Sequence, residues 1–341
     1  MNDALVAISI LWLFVFMYAI LGSVDFGAGF WGMVYSRRGK TRAGALANRF
    51  LSPTWEVTNV FLVLLVVTLV TFFPTAVYPI GMALLVPGSL VLLLLTFRST
   101  FMVFQYNTDR FQEILSVVSG VTGLLIPSLL VLVLPILTGG FIDPDTGELM
   151  LGALFTRPIS YAYLTFGLSS ELFLSSAFLS DYSREADDDE AYRVFRNHAR
   201  WLGPVALLAG ITAVFLMGYE AVWLRQGIEA QRWWFLASGI LFLTGYAALW
   251  IKPAHPRWSR GLPRLAFVCF IGQYALASLA YGRAHLPYMV YPDITVDAAV
   301  TNPAMFRSLL VSYAIGLAIL IPGFYYFWQL FLKDKRYLHR E

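Results

Sequence analysis

The sequence predicts an all-α integral membrane protein of nine transmembrane helices, built as two parallel-repeat four-helix bundles plus one C-terminal helix. Three observations predict it. The 341 residues are 58% hydrophobic and only 13% charged, where a soluble domain carries about 25% charged residues. The apolar residues form separate runs of about 20, the length that crosses a bilayer as a helix. Short motifs also recur at matching places in the two halves.

In order, the runs predict helices near residues 5–34, 54–73, 77–104, 113–137, 159–181, 202–223, 233–251, 263–282 and 306–332. The first run is too long for a cleaved signal peptide, lacks a basic start and ends in arginines, so it is expected to stay as a membrane helix. Nine crossings put the termini on opposite sides. Nineteen of the 24 Lys and Arg fall on the side holding residues 35–53, 98–112, 182–201, the 252–264 turn and the tail; Arg157, Arg225, Arg232, Arg283 and Arg307 fall on the other. The basic side is cytoplasmic, so the N-terminus is expected outside and the C-terminus in the cytoplasm. The net charge of +3 follows from this asymmetry and is no nucleic-acid signature. A single cysteine, Cys269, excludes an internal disulfide.

The repeat rests on two pairs of motifs. Arg49-Phe-Leu-Ser-Pro53 precedes the second helix and Arg200-Trp-Leu-Gly-Pro204 the sixth; Asp25 is followed by Tyr35-Ser-Arg37, and Glu171 by Tyr182-Ser-Arg184. Four spans separate the halves, so they share one orientation. The expected units are residues 1–137 and 138–282, one bundle each, and 283–341, an outside loop, the ninth helix and a cytoplasmic tail. Between the fifth and sixth helices, residues 181–200 read as a solvated acidic and basic loop. Residues 139–147 read as a turn, since the ligand spacing of a calcium loop is incomplete.

A membrane haem needs an axial His, Met or Cys between helices. His198 and His255 are expected in cytoplasmic loops, His285 just past an outside helix end and His339 in the tail, which leaves no mid-membrane histidine. Cys269 reads as small apolar filler. No Walker loop is present. The spacing of Gly27, Gly29 and Gly32 suits close helix packing. On its residues alone the chain holds no redox centre of its own and no metal.

The acids carry the chemistry. A carboxylate at membrane depth is costly and by default marks ion or proton handling. Asp25 lies in Gly22-Ser-Val-Asp-Phe-Gly-Ala-Gly29, about 15 Å from the cytoplasmic helix end at 1.5 Å per residue. Glu56 lies in Ser52-Pro-Thr-Trp-Glu-Val-Thr-Asn-Val60, at the cytoplasmic mouth of the second helix. Both are candidates for proton transfer, with Ser23, Trp55, Thr58, Asn59 and Glu171 in support; the alternative is that they cap or cross-link helices. Arg98, read at the cytoplasmic end of the third helix, is either a snorkelling boundary residue or the partner of a carboxylate or a propionate.

Asp25-Phe-Gly-Ala-Gly29, Ser52-Pro-Thr-Trp-Glu-Val-Thr-Asn-Val-Phe61 and Leu94-Leu-Thr-Phe-Arg98 resemble subunit II of cytochrome bd-type quinol oxidases. The likeness covers the chain in length, span count and duplicated bundles, and is most specific in the first half. It implies a haem-free subunit that pairs as a heterodimer with a haem-bearing subunit I, in a complex of the bacterial cell membrane that oxidises quinol, reduces oxygen to water and draws its protons from the cytoplasm. Haems are then expected in subunit I alone. Small accessory subunits and a structural quinone are further implications to which no residues attach. The family's helix 1 acid falls on Asp25, its Trp-acid pair on Trp55 and Glu56, and its arginine on Arg98. Many members carry Asp where this chain has Glu56, a departure that keeps the charge. Two other readings stand beside this one: a proton-coupled secondary transporter with parallel repeats, against which the scattered Pro74, Pro87, Pro127 and Pro135 speak, and a purely structural membrane scaffold.

Overall fold

A computed structural model describes residues 3–36, 42–105, 112–251, 262–300 and 302–329. Among these, nine helices are long and apolar enough to cross a membrane. They are α1 (Asp3–Ser36), α2 (Arg42–Phe72), α3 (Leu85–Gln105), α4 (Gln112–Val131), α5 (Pro158–Glu185), α6 (Asp189–Glu220), α7 (Arg232–Trp250), α8 (Leu262–His285) and α9 (Pro303–Trp328). Short helices and an antiparallel hairpin, Tyr288–Val290 against Ile294–Thr295, fill the connections on the side opposite the basic loops.

Helix α1 packs on α2, α4 and α5; α5 packs on α1, α6 and α8; α3 lies on α4 and α7 on α8. The two acid-bearing helices therefore sit side by side in the middle. Their sequences allow it. On α5, Ser169, Ser175, Ser176, Ser180 and Ser183 turn their hydroxyls back onto carbonyls three or four residues earlier, which satisfies them inside the helix and leaves a slim surface for close packing. On α1, a Cβ at Gly27 would strike Ser175 of α5, and one at Gly32 would strike Asn48 of α2. By contrast α9 touches α1 and α2 only lightly; just 6% of its apolar window is buried, so lipid or another chain must cover the rest.

Several boundaries differ from the sequence reading, each for a physical reason. The third span is split at Leu84 into Pro74–Ala83 and α3, and the fourth at Leu132 into α4 and Val133–Leu137. Pro87 and Pro135 lack the N–H that would bond the carbonyls of Ala83 and Val131, and the helices break there. Helix α2 begins at Arg42, not near 54, because Ala43, Leu46, Ala47 and Phe50 form a buried stripe at helical spacing. The 181–200 segment is not a solvated loop. Helix α5 runs to Glu185, α6 starts at Asp189, and Asp188 caps α6 by accepting from the N–H groups of Glu190 and Ala191. The acidic run is a helix start, and Arg264 of α8 ties down the end of α5 through Asp181 and Glu185. The Arg200–Pro204 motif consequently lies inside α6 rather than before it.

The 139–147 segment is the expected turn. Glycines with positive φ stand at 139, 140 and 147, and the Asp143 carboxylate accepts from the N–H groups of Asp145 and Thr146. Those bonds hold its carboxyl below the usual carboxylate range. The connections at 106–111 and 252–261 and the tail, with His255 and His339, lie outside the described residues.

Candidate functional site

Five helices converge on Asp25. Its carboxylate is 3% exposed and pairs with Arg98 of α3, Nη2 to Oδ2 at 3.3 Å. The same Nη2 donates to the Asp25 carbonyl at 3.2 Å, and Nη1 donates to the Ser119 carbonyl of α4 at 2.6 Å. The guanidinium also lies over the Phe26 ring, 5.0 Å from its centre. On the other side Thr54 of α2 donates to Asp25 Oδ1 at 3.4 Å. Arg98 is thus the partner of a carboxylate, seven residues inside α3, and not a boundary residue as one sequence reading had it.

The glycines make room for this arrangement. A Cβ on Gly29 would stand 3.1 Å from the Arg98 guanidinium and 2.9 Å from Ser119 Oγ; one on Gly123 would meet the Phe26 carbonyl at 2.6 Å and Arg98 at 3.3 Å. The Gly-Ala-Gly run after Asp25 therefore has a specific use. It lets α3 pass an arginine between α1 and α4.

Glu171 comes to the same centre from α5. It is 1% exposed, and neither of its oxygens has a hydrogen-bond partner among the described residues. Arg98 lies within electrostatic reach of both acids. Of the two acids, only Asp25 is in contact with that cation. The buried hydroxyl of Tyr18 of α1 likewise has no partner among the described residues. Unpaired polar atoms at this burial are the places where ordered water is held in membrane proteins.

The other sequence candidates are spread along α1 and α2. Thr58 is buried, with its hydroxyl on the Thr54 carbonyl; Ser23, Trp55 and Asn59 are half-buried. Glu56 is exposed. It shares a face of α2 with Val60, Val63, Val67 and Val70, all exposed, and does not join the Asp25 cluster within this chain. Three groups escaped the sequence reading. Ser119 contributes only its carbonyl, which no residue type reveals. Tyr18 looks like any membrane tyrosine. The third is His198, which is on α6 and not in a loop: its Nε2 is hydrogen-bonded to Tyr35 Oη at 2.5 Å and its ring stacks on Trp31 at 4.4 Å.

His198 has its Nε2 occupied by Tyr35, and His285 at the end of α8 engages the Tyr288 carbonyl through Nδ1 and packs edge-on to Trp223. Cys269 is buried where Gly245 of α7 meets α8, which is a packing position.

Residues 4–331 match the sequence profile described as cytochrome bd terminal oxidase subunit II. The chain belongs to this family. It is 48% identical over its whole length, and over 99% of the relative's, to a Bacillus subtilis (strain 168) protein that carries the provisional name cytochrome bd menaquinol oxidase subunit II. Its fold is similar to a chain in the solved structure of the bd oxidase from Geobacillus thermodenitrificans, with a TM-score of 0.84 and 34% identity, covering 98% of this chain and 100% of that one. As a subunit II of this family it is a multi-pass membrane component of a bacterial respiratory oxidase, part of a multi-subunit quinol:oxygen oxidoreductase. The secondary-transporter reading falls with this assignment.

Proposed function

We propose that this chain is the haem-free subunit of the oxidase, that it braces a haem-bearing subunit I, and that Asp25 belongs to a proton path from the cytoplasm to that subunit. The observation that carries the reading is the buried cluster of Asp25, Arg98, Thr54 and Glu171. Oxygen reduction consumes protons where there is no bulk water. A cluster with two carboxyl groups, one cation and unpartnered hydroxyl and carboxyl oxygens can hold a proton and the waters that pass it on.

Bracing is supported by the surface of α2. A carboxylate heading a stripe of exposed valines is poorly placed against lipid, and it suits a protein neighbour that closes over Glu56 and the cytoplasmic mouth. The positions flanking Asp25, Val24 and Phe26, are buried within the chain, so the docking face lies on α2, α3 and α9. The side-by-side placement of α1 and α5 supports the two-bundle division, and the name of the Bacillus subtilis relative supports menaquinol as the reductant of the complex. Expressed without its partner, the chain is expected to show no Soret band; a stoichiometric haem in that sample would overturn the haem-free assignment. Cysteine crosslinking from Val63 or Val70 is expected to trap subunit I, and crosslinks to lipid alone would remove the docking face.

The scaffold reading keeps one observation in its favour. The Asp25–Arg98 pair joins α1, α3 and α4 through direct contacts, as a structural cross-link would. Turnover of a fully assembled Asp25→Asn complex separates the two.

A further inference from the structure

We propose that the groove between the basic end of α6 and the end of α7 is a binding site for the headgroup of an anionic phospholipid. The groove is open to the surface, offers about 370 Å³ and is lined by Arg193, Val194, Arg196, Asn197 and Arg200.

Two of its arginines are held in place. Arg196 donates Nε to the Leu249 carbonyl at 2.7 Å and Nη2 to the Ile251 carbonyl at 3.4 Å; Arg200 donates Nε and Nη2 to the Leu249 carbonyl at 3.2 and 2.8 Å and lies 4.3 Å from the Trp250 ring centre. The open carbonyls at the end of α7 thus fix both side chains. A guanidinium has five N–H donors, so each arginine keeps donors for a further acceptor. Among the described residues neither of them, nor Arg193, is ion-paired with a carboxylate. Arg196 and Arg200 are like charges one turn apart, and an anion beside them would offset their repulsion further than the Leu249 carbonyl alone. Planar, fixed guanidiniums without acid partners are the chemistry that takes a phosphate group.

The surroundings favour a lipid as the source of that phosphate. Arg193, Asn197, Trp201 and Val205 follow one another at four-residue spacing along α6, with Leu208 next on the same face. Trp201, Val205 and Leu208 are exposed, Trp201 at 74%, and Trp250 is exposed beside the groove. A basic pocket thus continues into an apolar strip framed by tryptophans, which matches a headgroup with acyl chains beneath it.

The test uses the assembled oxidase in nanodiscs of mixed phosphatidylcholine and phosphatidylglycerol, with retained lipids read by native mass spectrometry. The expected result is selective retention of phosphatidylglycerol. It should fall about five-fold in Arg193→Gln, given about 1 kcal/mol per basic residue near an anionic surface, and persist in Arg193→Lys, with haem content unchanged in both. Inorganic phosphate at millimolar concentration should not displace the lipid. Equal retention of both lipids by the native complex, retention unaffected by Arg193→Gln, or displacement by phosphate alone would each overturn the proposal.

Discussion

Arg98 is the residue on which the buried cluster depends. It is the only cation within contact of Asp25 among the described residues, and it also bonds the backbone of α1 and α4. Breaking a buried pair by removing one partner leaves a charge without compensation and costs about 3–5 kcal/mol. Arg98→Leu is therefore expected to lower the yield of assembled oxidase, measured as haem per unit membrane protein. Arg98→Lys keeps the charge but cannot make three bonds in one plane, so it should assemble in part and melt at a lower temperature. A lysine variant as stable as the native complex would contradict the geometry. At this scale the sequence was half legible. Asp25 and Arg98 stand out because charge is rare in membrane helices, but their pairing spans 73 residues and no local pattern announces it. His198 was misplaced because a hydropathy reading begins α6 only where the chain turns wholly apolar. The turns before that point, with Ala191, Phe195 and Ala199 buried, are amphipathic and carry too much charge to register as a membrane span.

Among the elements, α1 and α5 are legible as membrane spans from composition, while their adjacency is visible only in their small residues. Gly123→Ala tests the neighbouring packing of α1 on α4. A Cβ there meets the Phe26 carbonyl at 2.6 Å, and backbone cannot yield as a side-chain tip does, so a loss of about 1–3 kcal/mol is expected, read as a lower melting temperature of the complex. Gly81 and Gly88 face open space, and alanine at either should leave stability unchanged. A larger effect at Gly88 than at Gly123 would contradict the packing. The breaks at Leu84 and Leu132 were open to reading from Pro87 and Pro135, since each falls four residues after the carbonyl it leaves unbonded.

For the whole molecule, the basic asymmetry predicts the orientation in the membrane. A cysteine at Asp145 should react with an impermeant thiol reagent in intact cells, and one at Arg193 should not; the reverse pattern would invert the topology. Nine crossings were legible in the sequence because each is long and apolar. The partner face was not, since an apolar surface toward lipid and one toward a protein have the same composition. The central claim is that Asp25 handles protons rather than only bracing helices. Asp25→Asn keeps the size and hydrogen bonding of the side chain and removes its titration. In a complex with native haem content it should slow quinol-driven oxygen consumption several-fold, and the deficit should widen toward alkaline pH, where protons become scarce for a path that has lost a carrier. Native turnover with an unchanged pH profile in that complex would show Asp25 to be a structural acid.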